Sequence, residues 1–214
     1  MFIGVHPRLT GLLALLCVGL IAILNGKPYF TNASRPPRRI ASPLVAMEVV
    51  HNVDEVDAIL GDAPSPDREA MRIKQYADFV FIACYAGLFL TLSAMAANRW
   101  VALCGLAAAG FDVLENIAIL RILDLPLSQT TQSMIDSIRH AGLAKWTLAF
   151  AALALLSPFF LKSRRWTMRI VGVLIALAAA VGFYGLYDNA FLVWAGIPMA
   201  AGIAGIAALF FRLR

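Results

Sequence analysis

From Trp100 to Leu123 the chain reads WVALCGLAAAGFDVLENIAILRIL. A run of this length and apolar character is a membrane-spanning helix. At its centre stands Gly110-Phe111-Asp112-Val113-Leu114-Glu115-Asn116, with two carboxylates and a carboxamide in a place where polar groups are costly. Asp112, Glu115 and Asn116 are spaced i, i+3 and i+4, so a helix puts all three on one face. Ionisable groups at that depth mark a functional site by default.

The rest of the composition agrees with a membrane setting. Of 214 residues, 61% are hydrophobic and 14% charged, and the mean hydropathy is +0.77. A soluble domain is nearer half apolar and a quarter charged, so the chain reads as a polytopic membrane protein. The net charge of +5 does not point to nucleic acid. Basic residues flank apolar runs, where they orient spans, and do not cluster with aromatics on a polar element. Cys17, Cys84 and Cys104 lie inside apolar runs without metal-ligand spacing and read as small buried side chains.

The predicted fold is all-α: a bundle of six transmembrane helices with a small extracytoplasmic cap, in one membrane domain of residues 1–214. The spans fall at about residues 9–24, 76–96, 100–123, 141–161, 168–187 and 190–211. The first reads as a retained helix, because Asn25-Gly26-Lys27-Pro28-Tyr29 is a poor signal-cleavage site. Residues 25–75 are the one long polar segment and form the cap. Within it, the prolines of Arg35-Pro36-Pro37-Arg38-Arg39 argue against regular structure. Leu44 to Val50 is rich in β-formers and predicts a short extended segment. Asn52, followed by Asp54 and Glu55, starts a small amphipathic helix that Gly61 ends. Ser65-Pro66-Asp67 starts another, and nothing breaks it before Ala96. That helix runs roughly 45 Å at 1.5 Å per residue and must project beyond the bilayer. Ser128 to His140 predicts a short surface helix ahead of the fourth span, and Pro198 a kink in the sixth.

Orientation follows from basic residues in short loops. Arg8, Arg99, Lys162, Arg164, Arg165, Arg169, Arg212 and Arg214 fall on one side, against Arg121, Arg139 and Lys145 on the other. The first set is predicted to be cytoplasmic, with both termini inside and the cap outside. The Ala/Leu/Gly-rich style reads as bacterial, which places the chain in an inner membrane. The Asn32-Ala33-Ser34 sequon is then discounted as a glycan acceptor. Small-residue pairs such as Ala83/Gly87, Gly105/Ala109, Ala178/Gly182 and Ala201/Gly205 allow close helix approach.

Depth brings the polar residues together. Below Leu123, Glu115 is about 12 Å down and Asp112 about 16 Å. Below Tyr76, Tyr85 is about 13 Å down, level with Glu115, while Asp78 stays near the outer surface. The tight turn at Asn98-Arg99-Trp100 makes the second and third spans antiparallel neighbours, so Tyr85 is predicted to reach Glu115. Two readings stay open for Asp112, Glu115 and Asn116. One is a structural polar knot that fixes helix packing. The other is a site for a cation, a proton or a polar ligand. Buried acids without a cationic partner hold their protons, as a proton carrier or general acid must. Acids with a carboxamide oxygen also supply hard ligands to a metal ion. Lys145 either snorkels to the outer interface or pairs with Asp78, Asp112 or Glu115. His6, His51 and His140 are scattered, which argues against a haem or histidine–zinc site. Trp100, Trp146, Trp166, Trp194, Tyr184 and Tyr187 near span ends read as interfacial anchors. No Gly-x-Ser-x-Gly, His-Glu-x-x-His, Walker A or Gly-x-Gly-x-x-Gly pattern occurs, which weakens hydrolase readings and leaves a carboxylate-based enzyme open.

Met47-Glu48, then Glu55-Val56-Asp57-Ala58-Ile59-Leu60-Gly61, then Tyr76-Ala77-Asp78-Phe79-Val80-Phe81-Ile82 with Tyr85, then Asp112-Val113-Leu114-Glu115-Asn116 resembles a group of uncharacterised bacterial multi-spanning membrane proteins. The likeness covers about residues 47–123 and brings no activity with it. It favours Asp78, Tyr85, Asp112, Glu115 and Asn116 over the other polar residues.

The leading functional expectation is a membrane binding or transport module. Its acidic pocket opens outward under the cap and takes a cation, a proton or the polar end of an amphiphile. Asp112, Glu115, Asn116, Tyr85, Asp78 and Lys145 form that pocket. One rival is an intramembrane enzyme acting on a lipid or isoprenoid. Another is an accessory subunit that binds a membrane-protein partner, with the acids purely structural.

Overall fold

The computed structural model describes residues 7–31 and 40–211. His6, Arg212, Arg214, the Asn32-Ala33-Ser34 sequon and the Arg35–Arg39 piece lie outside the described residues. Eight helices follow in order: α1 (Pro7–Leu24), α2 (Pro43–Glu48), α3 (Val53–Leu60), α4 (Pro66–Ala96), α5 (Arg99–Leu123), α6 (Gln132–Leu161), α7 (Trp166–Tyr187) and α8 (Ala190–Phe211). No strand occurs among the described residues. Six of the helices, α1 and α4 to α8, are long and apolar enough to cross a membrane. The chain is an integral membrane protein with an all-α bundle of six spans.

The local signals explain most of the helix ends. Asn52 caps α3, accepting from Glu55 N at 2.9 Å, and Gly61 ends it at φ 67. Ser65 caps α4, with Pro66 in its first turn. As the sequence predicts, α4 runs from Pro66 to Ala96 without a break, through the level where cap gives way to bundle. Asn98 caps α5 through Trp100 N. Pro198 lies inside α8 without ending it.

Two expectations are corrected. Leu44 to Val50 is not extended; residues 43–48 form α2. Ser42 caps that helix by accepting from Val45 N, and Pro43 sits in its first turn. A start signal of this kind outweighs the β-preference of two or three branched residues. Nor is there a separate surface helix before the fourth span. A single 3₁₀ turn occupies Leu127–Gln129, and then α6 runs unbroken for 30 residues from Gln132 to Leu161. No helix-breaking residue separates His140 from Ala141, so the polar turns and the apolar run share one axis.

The spans close into a ring. Each packs on the next in the order α1, α4, α5, α6, α7, α8, and α8 packs back on α1. Glycines admit side chains from the neighbouring helix at several seams: Leu13 reaches Gly87, Phe89 reaches Gly105 and Phe150 reaches Gly182. The cap lies over one end of the ring. Its apolar side chains, including Met47, Val50, Val56 and Leu60, are buried and continuous with Ile119, Ile122 and Ile138 of the spans.

Two buried basic residues tie the cap end together. Arg68 Nε donates to Gly61 O at 2.9 Å, and Nη1 donates to Ile122 O at 2.8 Å, Leu123 O at 3.3 Å and Leu125 O at 2.7 Å. It thereby satisfies carbonyls that the end of α5 leaves without intrahelical partners. Lys74 Nζ does the same for α1, donating to Leu24 O at 2.6 Å and Gly26 O at 2.7 Å.

Candidate functional site

The middle of α5 faces inward. Asp112, Glu115 and Asn116 are all buried, Glu115 completely, at 0% exposure. Opposite them, α6 presents Lys145, only 7% exposed. It does not snorkel. Its Nζ lies 2.9 Å from Asp112 Oδ1, 2.8 Å from Glu115 Oε2 and 3.1 Å from Glu48 Oε1. One ammonium thus serves three carboxylates from α2 and α5. Pairing holds because Lys145 points into the bundle, where three carboxylates lie within 3.1 Å of its Nζ.

Glu48 is the residue that sequence reasoning missed. It closes the cluster from the cap, and Trp146 Nε1 donates to its Oε2 at 2.7 Å. Trp146 is therefore no interfacial anchor; its ring stacks on Phe150 with centroids 5.4 Å apart. Gly142, one turn before Lys145, makes the approach of α2 feasible. A β-carbon there would run into the Glu48 carbonyl oxygen and lie 3.3 Å from Glu115 Oε2. Burial pushes the Glu48 carboxyl above the usual carboxylate range, against the opposing pull of Lys145. The available signals were the Met47-Glu48 pair in the family-like pattern and a lone glycine on the lysine's face.

The α4 wall supplies Tyr85 and Asp78. Tyr85 OH donates to Asp112 Oδ2 at 2.9 Å, not to Glu115. The inward faces of α4 and α5 bring it against the acid one turn deeper than the level count alone gives. Asn116 Nδ2 donates to Asp78 Oδ2 at 2.7 Å. Asp78 is half-buried and lines the inner wall. The residues of the expected pocket thus fall into two groups: Tyr85, Asp112, Lys145 and Glu115 in one cluster with Glu48, and Asp78 with Asn116 as a pair of their own.

Three acceptor atoms in this region lack a hydrogen bond. Glu115 Oε1 is buried without any partner, while Oε2 meets Lys145 only as an ion pair, off hydrogen-bonding geometry. Gln75 Oε1, one turn before Asp78, is also buried and unpartnered. Such orphaned atoms are rare in well-packed interiors. Among the described residues, no group of His, Cys, Asp or Glu is arranged to hold a metal ion.

A cavity of about 450 Å³ lies beside the network, inside the ring. Its upper wall carries Glu48, Gln75, Asp78, Asp112, Asn116 and Lys145. Below them it is apolar, running down α4 to Leu92, α6 to Leu156 and α8 to Ile206. From Lys145 to Leu156 the helix rises about 16 Å. The cavity also reaches Ile197, which is 62% exposed. Ile197 shares the outward stripe of α8 with Trp194 and Ala201, so the cavity extends to the lipid-facing flank of that helix.

Comparison with protein-family models, with curated proteins and with solved structures finds no match to this chain, and the reading of the site stands on its geometry.

Proposed function

We propose that this protein is a membrane binding module for a single-chain amphiphile, whose polar end lies against the Lys145 network and whose chain fills the apolar cavity. The observation that carries the reading is the polarity of the cavity along its length. Charged and carboxamide groups line one end, and hydrocarbon side chains line the remaining 16 Å or so. A bare proton or inorganic cation has no use for the apolar part. A purely structural knot leaves no reason for a cavity of about 450 Å³ beside it. That volume is within the usual range for small-molecule sites.

The exposure of Ile197 on the cavity rim supports entry from the bilayer at α8. Transport is the natural extension, with the cap end as the exit. The Ala/Leu/Gly-rich composition supports a bacterial inner membrane, and the basic-residue asymmetry supports cytoplasmic termini with the cap outside.

A diazirine-bearing long-chain alcohol tests this without bias toward either charge. In the purified full-length protein, light should crosslink it to cavity residues such as Leu153 and Ile203. Ala149→Trp, which fills the cavity from α6, should abolish that labelling while the protein still elutes as a single folded species. Labelling confined to outward residues such as Leu103 and Val173 in the parent protein would overturn the reading.

A further inference from the structure

We infer that the amphiphile is a long-chain primary amine, its ammonium received by Asp78 and Gln75; this rests on the amphiphile reading above and adds the chemistry of the head.

The inference begins with what the cavity wall lacks. Among the described residues lining it, Lys145 is the only cation, against Glu48, Asp78 and Asp112. Lys145 is already shared among Glu115, Asp112 and Glu48. Asp78 has no cation within 4 Å among the described residues, and its one side-chain donor is the neutral Asn116. A carboxylate in such surroundings is stabilised by a cation brought by the occupant. An incoming anion would meet three acids and a lysine with no charge to spare.

Gln75 narrows the choice further. Its side chain is 4% exposed and lines the cavity, and its Oε1 has no donor. Its Nε2 is turned to Met71 Sδ at 3.4 Å, which leaves the oxygen as the free end. Gln75 and Asp78 are three residues apart on α4 and so share a face. The wall therefore carries a carboxylate without a cation, and on the same face of α4 a residue whose buried carboxamide oxygen has no donor. A primary ammonium carries three donors and a full charge. An alcohol carries one donor and no charge, and a quaternary ammonium carries charge and no donor. Only the first satisfies both partners, and an acceptor left unpaired in a buried site penalises the other two. The apolar stretch beyond, about 16 Å of helix rise, matches a long alkyl chain of the dodecyl class.

The test is a titration of the full-length protein in mild detergent, read by native mass spectrometry and thermal shift. Four probes share one chain: dodecylamine, dodecyltrimethylammonium, dodecanol and dodecanoic acid. Dodecylamine should bind one per protein and roughly tenfold or more tighter than each of the others. Asp78→Asn keeps an oxygen for Asn116 and orphans no cation, so it should fold; it should remove the preference for the amine over the alcohol. Gln75→Leu should narrow the gap between the primary and quaternary amines. Equal binding of amine and alcohol, or preference for the acid, would overturn the head-group assignment while leaving the amphiphile pocket standing. A tie between primary and quaternary amines would overturn the role of Gln75. Failure of all four probes to bind, with the photoreactive alcohol also failing to label the cavity, would overturn the pocket reading itself.

Discussion

The backbone carbonyl of Glu48 rests directly on Gly142, so that the C-terminal end of α2 touches the backbone of α6 with no side chain between them. This contact delivers the Glu48 carboxylate to Lys145 and Trp146. It also makes the cap a part of the site wall and not merely a cover for it.

Gly142 is therefore a sensitive position. Gly142→Val should push α2 off α6, breaking the Glu48–Lys145 and Glu48–Trp146 contacts together. Quenching of Trp146 fluorescence by a water-soluble quencher should rise, and probe binding should weaken. Gly110, where an added β-carbon meets nothing within 4 Å, is the control; Gly110→Val should leave both readings near the parent values.

Lys145 should matter more to stability than any one acid it serves. Lys145→Met leaves three buried carboxylates facing one another, and loss of one partner from a buried pair costs roughly 3–5 kcal/mol. Glu115→Gln leaves Lys145 with Asp112 and Glu48 still in place. The thermal midpoint in micelles should fall by several degrees for the first substitution and clearly less for the second. The opposite order would show that the lysine is not the hub of the network.

Arg68 should prove a staple of the fold, distinct from the site. Arg68→Met strips four carbonyls of a charged donor, and even one such bond is worth about 1.5–3 kcal/mol. Arg68→Lys should rescue little, because an ammonium cannot span Gly61 O and Leu125 O as the guanidinium fork does. Urea or thermal melts of the two variants should coincide within about 1 kcal/mol.

Asp62 gives the cap a dependence on acid. Its Oδ1 accepts from Leu127 N and Ala63 N, both at 2.8 Å, and these bonds hold its carboxyl below the usual range. A carboxyl lowered in the folded state contributes stability above its ordinary value of about 3.9, and that contribution fades as pH falls below it. Asp62→Asn should thus lower the melting temperature at neutral pH, and the gap to the parent should shrink as pH falls below about 3.9. A gap that is constant with pH would mean the carboxylate charge is irrelevant there.

The proposed orientation can be checked by labelling from outside intact cells. A cysteine at Ser65, in the cap, should react with an impermeant maleimide, and one at Ser163, between α6 and α7, should react only after lysis. The reverse pattern would invert the topology.

The sequence alone determined the layout of this protein. Hydropathy set the six spans, because length and apolar character are properties of a segment by itself. Cap residues did the same for α3 and α4, since Asn52 and Ser65 act on donors only a few positions away. The inward face of α5 was legible for the same reason: helical spacing put Asp112, Glu115 and Asn116 on one side, and lipid is too poor a solvent for that side to face outward. Partner choice was decided elsewhere. Whether Tyr85 met Glu115 or Asp112 depended on how α4 and α5 are rotated against each other, which no spacing within either helix records. Glu48 entered the site only because α2 docks on a bare glycine of α6, nearly a hundred residues away. The cavity itself belongs to no segment; it exists because α1 closes the ring against α8 and leaves a space that all six spans share.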